Sequence, residues 1–345
     1  MNLLKINKLR IGDGNPVFII AEIGGNFSTF EQGKKLVDSA VSCGVNAVKI
    51  QTFKAENYVS KFATFTMPNV GGKKKQLEII KKLELDYEIQ KKMFQYCKKK
   101  KIIFFSTPSH KTDVDFLEEV NNEIYKIGSD DLTNLPLMEY IAKLQKPTII
   151  STGMSNFKEV NDVVKIFRRA KNDQLSILHC VSMYPHDPKY ANLNTIQMMK
   201  KKFNLPIGWS DHTLGIETSI AAATIGANIV EKHFTLNKKA KGPDHALSAD
   251  PSDLSKMVQN IRMIEEAKGN GLKIPASCEL GNRKNVRKSI VALRDIKKGT
   301  KITRNLLEIK RPGNGYSPNM IKKIIGKKTR KLIKMDMPIK SGDLE

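Results

Sequence analysis

No apolar run in this chain approaches the roughly 18 residues that a membrane-spanning helix needs, so a protein built on such a helix is excluded. The opening segment, MNLLKINKLRIGDG, carries lysines where a secretory signal requires an apolar block, and a cytoplasmic location is expected. Cysteine is scarce as well. Cys43, Cys97, Cys180 and Cys278 stand far apart with no CxxC pair, which speaks against a disulfide framework and reads as reduced, mostly buried thiols. The signatures GxGxxG, GxxxxGK[ST] and GxSxG do not occur, so dinucleotide-binding, P-loop and serine-hydrolase chemistries lack support. Acidic residues are few, 35 against 59 basic ones, which leaves a net charge of +24 over 345 residues.

That excess is uneven. From Arg283 to the end, 19 basic residues face five acidic ones. A tail this basic suits a polyanion, but it has one aromatic, Tyr316, for bases to stack on, and no recognisable nucleic-acid motif. A lysine-rich solvated surface is the simpler reading, and no nucleic-acid partner is expected. The 40% hydrophobic content is enough for a sizeable core, and the length suits one barrel-sized domain plus a small one.

Short apolar segments alternate with stretches of helical spacing. Strands are expected at 17–21, 47–50, 102–106, 124–127, 148–151, 176–180, 207–210 and 228–231, with a helix over 31–43 carrying apolar Leu36, Val37, Ala40 and Val41. Eight such units within about 265 residues suit a closed (β/α)8 barrel better than an open sheet. The expected organisation is a barrel over 1–267, a Gly/Pro-bearing linker over 268–282 (GNGLKIP within it) and an accessory domain over 283–345. An accessory domain that small has a limited core and leans on a partner surface.

Polar residues gather where the strands end. They are Glu22; Lys49 and Gln51; Ser106 and Thr107; Lys126 and Ser129; Ser151; His179 and Ser182; Asp211 and His212; Glu231 and His233. In a (β/α)8 barrel these ends converge on one mouth, where active sites are built. Lysines there are costly to bury without anions, so an anionic substrate is implied. Lys49, Lys126, Ser129, Ser151 and Ser210 suit a phosphate and a carboxylate, with backbone N–H groups at Gly128-Ser129 and Thr152-Gly153 in support. His212 and His233, at adjacent strand ends with Asp211, Glu231 and Asp244 nearby, suit Mn²⁺ or a similar divalent ion. Zinc, or an acid/base role for one of the two, stays open from spacing alone.

The blocks AEIGGN (21–26), VKIQTFKAE (48–56), KIGSDDLTN (126–134), STGM (151–154), LHCVSMYP (178–185), SDHTLG (210–215) and EKHFTL…GPDHALS (231–248) resemble the sialic acid synthases. The tail, with RKSIVALRDIKKGTKIT (287–303) and KRPGNG (310–315), resembles that family's antifreeze-like SAF domain, of β-clip type. The resemblance runs nearly end to end. It implies a TIM barrel that condenses phosphoenolpyruvate with an N-acetylated hexose such as N-acetylmannosamine, or with a 2,4-diacetamido-trideoxyhexose, and releases phosphate.

Carried over by position, the resemblance implies that His212 and His233 bind a divalent metal, Mn²⁺ above Mg²⁺ or Co²⁺. Lys49, Lys126, Ser129, Ser151, Ser182 and Ser210 would grip phosphoenolpyruvate, with Gln51 and Thr107 in support. Glu22, Tyr184 and Asp244 would orient the open-chain sugar, and Asp131 stands where some members carry Glu. Arg311 would reach from the tail of one subunit into the barrel of the other, which implies a domain-swapped homodimer.

Overall fold

Eight parallel strands close into a barrel: β1 (Phe18–Glu22), β2 (Ala47–Thr52), β3 (Ile103–Pro108), β4 (Tyr125–Ile127), β5 (Thr148–Ser151), β6 (Leu175–Cys180), β7 (Ile207–Asp211) and β8 (Ile229–His233). The computed structural model describes residues 3–66 and 73–345. The chain divides into two compact units, Met1–Gly269 and Asn270–Glu345. The eight sequence segments expected to be strands are these strands, with ends shifted by one or two residues. Among the described residues no helix is long and apolar enough to cross a membrane.

Alternation along each strand builds the barrel in two tiers. The lower tier is apolar: Phe18, Ile20, Ala47, Phe105, Ile124, Ile149, Leu178 and Ile229 fill the interior. Leu178 also fills the space beside Gly208, where a Cβ would stand 2.6 Å from its Cδ2 and 2.5 Å from the Ile229 carbonyl oxygen, so β7 needs glycine there. One step of two residues up the same strands, the inward positions turn polar at Glu22, Lys49, Lys126, Ser151, Ser210 and Glu231, all buried. The opposite strand faces pack under helices. Val48 and Ile50 meet Leu36, Val37 and Ala40 of α1 (Phe30–Ser42), whose start is fixed by a Thr29/Gln32 capping box.

A hairpin that the sequence reading missed closes the lower end. Leu4–Ile6 pairs antiparallel with Leu9–Ile11, and Leu4, Ile6 and Ile11 complete the lower-tier cluster at no more than 1% exposure. Burying three aliphatic side chains stabilises the barrel by roughly 1.5–3 kcal/mol each. Three-residue strands give too short a pattern to read from sequence.

In the second unit, Ser289–Ala292 pairs antiparallel with Leu307–Lys310 over a core that includes Ile290, Ile296, Ile302, Ile324, Ile333 and Ile339. The segment read as linker is partly ordered structure: a 3-10 turn at Ser277–Glu279 runs into a helix at Leu280–Val286. Arg311 lies exposed on the loop after Lys310.

Candidate active site

The upper tier and the loops above it enclose a cavity of about 630 Å³. Lys49, Gln51, Thr107, Lys126, Ser129, Ser151, Ser182, Tyr184, Ser210, His212 and His233 all line it, so the barrel brings together most of the residues named from sequence. Its floor is a charge lattice. Lys49 Nζ lies 2.5 Å from Glu22 Oε2 and 3.4 Å from Glu231 Oε1, and it donates to Thr107 Oγ1 at 3.1 Å. Lys126 Nζ lies 3.6 Å from the same Glu231 oxygen and donates to Ser151 Oγ at 2.6 Å. Ser210 Oγ donates to Glu231 Oε1 at 3.2 Å.

Two lysines therefore share two carboxylates, and the sharing is unequal. Burial works against the charge on Lys49, yet Glu22 and Glu231 together hold its ammonium above the ordinary range. For Lys126 burial wins, Glu231 offsets it only in part, and the ammonium is pushed down. Glu22 is pushed up by burial, and the adjacent Glu231 adds to that. An anion arriving beside Lys126 would restore its missing partner. Donors for such an anion stand close by. Ser182 Oγ is buried without a partner, and Gly153 N–H donates to Ser129 Oγ at 2.9 Å.

Above this floor sit the two histidines, ring centroids 5.4 Å apart. His212 Nδ1 lies 2.8 Å from the Val181 carbonyl oxygen. A carbonyl oxygen only accepts, so Nδ1 carries the proton and the Nε2 lone pair is free. Burial pushes His212 down to about 4, against the Val181 contact and nearby carboxylates. Burial also pushes His233 well below its usual value, with His212 adding to it, so both rings are neutral at pH 7. His233 Nδ1 is buried and unpartnered, with Asp244 Oδ2 at 3.6 Å. Asp244 is itself pushed up to about 7, by burial and then by Glu22. With a neutral ring on one side and a half-protonated acid on the other, this contact is not an ion pair. Among the described residues no three His, Cys, Asp or Glu side chains form a ready-made metal-ligand group. The Tyr184 ring lies 4.0 Å from His212, centroid to centroid.

Some residues fall elsewhere. Glu22 lies beneath the cavity surface, reaching it only through Lys49. Asp131 lines an adjoining hollow instead, and its neighbour Asp130 takes the cavity wall. His179 is a correction to the strand-end set: it points outward, contacts the Ala191 carbonyl oxygen at 2.8 Å and packs against Trp209, while Cys180 faces the cavity. Asp211 is a second correction. It faces away from the mouth, 3.2 Å from Lys232 Nζ, and accepts from Thr213, Thr218 and Ser219. Sequence reasoning missed Tyr58, Gln76 and Asp130 as lining residues, all three on loops or short helices without a strand's alternation. It left Glu231 out of the substrate set, although its spacing of two from His233 puts both on the inner face.

Comparison with known proteins places this architecture. The NeuB family profile matches residues 36–273, and a SAF domain profile matches 287–345. The chain belongs to the NeuB family. It is 40% identical to the N,N'-diacetyllegionaminic acid synthase of Campylobacter jejuni, over 92% of this chain and 97% of that one. The human N-acetylneuraminate-9-phosphate synthase is 33% identical, over 94% of this chain and 92% of its own. The crystal structure of the N-acetylneuraminic acid synthetase of Leptospira borgpetersenii, in complex with citrate, superposes with a TM-score of 0.73 at 33% identity, covering 81% of this chain and 95% of that one. The NeuB-family chain is thus an N-acetylneuraminate synthase-like enzyme, a TIM barrel followed by a SAF domain. These two curated relatives of this family member are synthases of a nonulosonic acid or its phosphate.

Proposed function

We propose that the cavity condenses phosphoenolpyruvate with an N-acetylated six-carbon sugar and releases phosphate. The observation that carries this reading is the under-compensated Lys126, set among the Ser129, Ser151 and Ser182 hydroxyls beneath two neutral imidazoles. Lys126 and these donors take the phosphate. Lys49, Thr107 and Gln51 take the carboxylate, and Ser210 braces Glu231 between the two cations. This holds phosphoenolpyruvate with carbon 3 toward the cavity opening. Carbon 3 attacks the aldehyde of the open-chain sugar, positive charge develops at carbon 2, and Glu231 beneath it is placed to balance that charge. Water adds at carbon 2, and the tetrahedral intermediate loses phosphate by C–O cleavage. Asp244 and Tyr184 orient the sugar, and Glu22 acts on it only by holding Lys49.

His212 Nε2 and the orphaned His233 ring suit a divalent cation such as Mn²⁺, with remaining ligands from substrate or water. When bound, such an ion supplies Lewis-acid polarisation of the aldehyde oxygen. Because both rings are already neutral, no proton has to be displaced before they coordinate.

The higher identity to the diacetyllegionaminic acid synthase (40%) than to the Leptospira N-acetylneuraminic acid synthetase (33%) favours a 2,4-diacetamido-2,4,6-trideoxyhexose as acceptor over N-acetylmannosamine. The test is phosphate release from phosphoenolpyruvate with Mn²⁺ and each sugar in turn. Release with the diacetamido sugar and little with N-acetylmannosamine is expected. Release with neither, from folded and metal-loaded protein, defeats the reading.

The working unit in this proposal is a domain-swapped homodimer in which Arg311 of one subunit contacts sugar in the other. Arg311→Ala is expected to raise the KM for sugar about tenfold or more, in line with loss of a charged hydrogen bond. Mixing it with an inactive Lys126→Ala variant should restore part of the activity through mixed dimers. A mixture no more active than its components would refute the swap.

A further inference from the structure

One loop carries a large share of the cavity wall. Residues 181–190 follow β6, and Ser182, Met183 and Tyr184 among them line the cavity. Val181 supplies the carbonyl oxygen that keeps the His212 proton on Nδ1. Ser182 Oγ fills the space that a Cβ on Gly153 would need, so its position has little slack. Yet of these ten residues only His186 is buried, at 6% exposure. Asp187 accepts from the Lys189 and Tyr190 peptide N–H groups, bonds that stay within the loop. A segment this exposed opens easily unless something anchors it.

His186 is tied inward at two points. Its peptide N–H donates to the His212 carbonyl oxygen at 3.3 Å, which joins the loop to the end of β7. Its ring packs edge-on to Trp209, with centroids 6.0 Å apart and planes at 89°. Trp209 stands on β7 directly before Ser210, a residue of the cavity. His186 Nδ1 lies 2.9 Å from the Asp187 carbonyl oxygen. A carbonyl oxygen only accepts, so Nδ1 carries the proton and Nε2 of the neutral ring is an acceptor. That Nε2 is buried without a partner, and so is Trp209 Nε1, which can only donate. Each group left unmatched costs stability, and the two are complementary.

We propose that His186 is a positioning residue: one buried water accepts from Trp209 Nε1–H and donates to His186 Nε2, and this link sets where Ser182 and Tyr184 stand in the cavity. The inference goes beyond the condensation reading in giving His186 and Trp209 a role, and it rests on that reading for the work of Ser182 and Tyr184. A water that joins two otherwise unmatched buried groups is nearly as good as a direct hydrogen bond. The His186 ring does not line the cavity, so it acts through the loop and not on the reacting atoms.

The experiment compares His186→Phe with His186→Gln in the full-length protein. Phenylalanine keeps a ring beside Trp209 and removes the acceptor, whereas glutamine keeps an acceptor near the place of Nε2. Amide hydrogen exchange over residues 181–190 should quicken about tenfold in His186→Phe, and stay close to wild type in His186→Gln. The Tm of His186→Phe should stay within about 4 °C of wild type, because the loop adds little to global stability. Emission from Trp209, the only tryptophan, should move to the blue in His186→Phe as its N–H loses the water, and hold its place in His186→Gln. With phosphoenolpyruvate, Mn²⁺ and sugar, kcat/KM should fall about 10- to 100-fold in His186→Phe, chiefly through the KM of both substrates. Glutamine should restore most of that loss. Wild-type exchange and emission in folded His186→Phe overturn the proposal, and so does a His186→Gln variant as impaired as His186→Phe. If no sugar supports phosphate release in the wild type, the condensation reading fails, and exchange and emission still decide whether His186 anchors the loop.

Discussion

If the proposed metal site holds, His233→Ala is expected to lower metal-dependent phosphate release by about 1,000-fold or more, because it would remove one of the two proposed ligands to a Lewis acid and leave no replacement donor. The fold should survive. His233 is 5% exposed, its Nδ1 makes no hydrogen bond, and its neighbour Asp244 is held as an acid partly protonated by burial, so little binding energy is lost with the ring. Mn²⁺ affinity, read by titration on the folded variant, should fall in parallel with turnover. His212→Ala should match it, with an additional small loss of stability from the freed Val181 carbonyl oxygen. A His233→Ala enzyme that retains a tenth of its metal-dependent rate would remove the histidine pair from the chemistry.

The second large effect lies behind the mouth. Lys232 and Asp211 are both fully buried, 3.2 Å apart, and Lys232 Nζ also donates to the Thr213 carbonyl oxygen at 2.6 Å. They pin the ends of β7 and β8 together from outside while Ser210, His212, Glu231 and His233 face the cavity inside. Lys232→Met removes the cation and strands a carboxylate whose remaining partners are hydroxyls and one N–H. Breaking one side of a buried pair costs about 3–5 kcal/mol. For a unit of this size that corresponds to a fall in Tm on the order of 10 °C. Trp209, the only tryptophan, is buried on β7 two residues from Asp211, so its fluorescence reports this unit alone. Pairing Lys232→Met with Asp211→Asn should recover much of the loss, since the uncompensated charge is then gone. A single variant that melts with the wild type would show that the pair carries no stability.

The fold and most of the site were legible because their determinants are local. A strand of four to six residues shows its own apolar character, and eight of them separated by helical spacing leave few architectures. A polar residue at the end of such a strand, as Lys49, Lys126, Ser151 or His233 stands, is close to the mouth whatever the barrel's details. The misplacements share a cause. His179 and Asp211 also stand at strand ends, and nothing in their neighbourhood states which phase of the strand faces inward. Closure decides it: the stagger between β6, β7 and β8 turns Cys180 and Ser210 in and His179 and Asp211 out.

By itself, then, the amino-acid order determined the (β/α)8 barrel with its accessory domain, and the family blocks that carry the two lysines and two histidines. Tertiary structure alone decided which groups share charge. Glu231 became the hub between Lys49 and Lys126, Glu22 withdrew beneath the surface, Lys232 found Asp211, and Tyr58 came across the mouth to hold Asp130. These pairings join residues 21 positions apart for Asp211 and Lys232, 72 for Tyr58 and Asp130, 105 for Lys126 and Glu231, and 182 for Lys49 and Glu231. Pairing at such separations is set by closure of the barrel and burial of charge, and neither leaves a periodic trace in the chain.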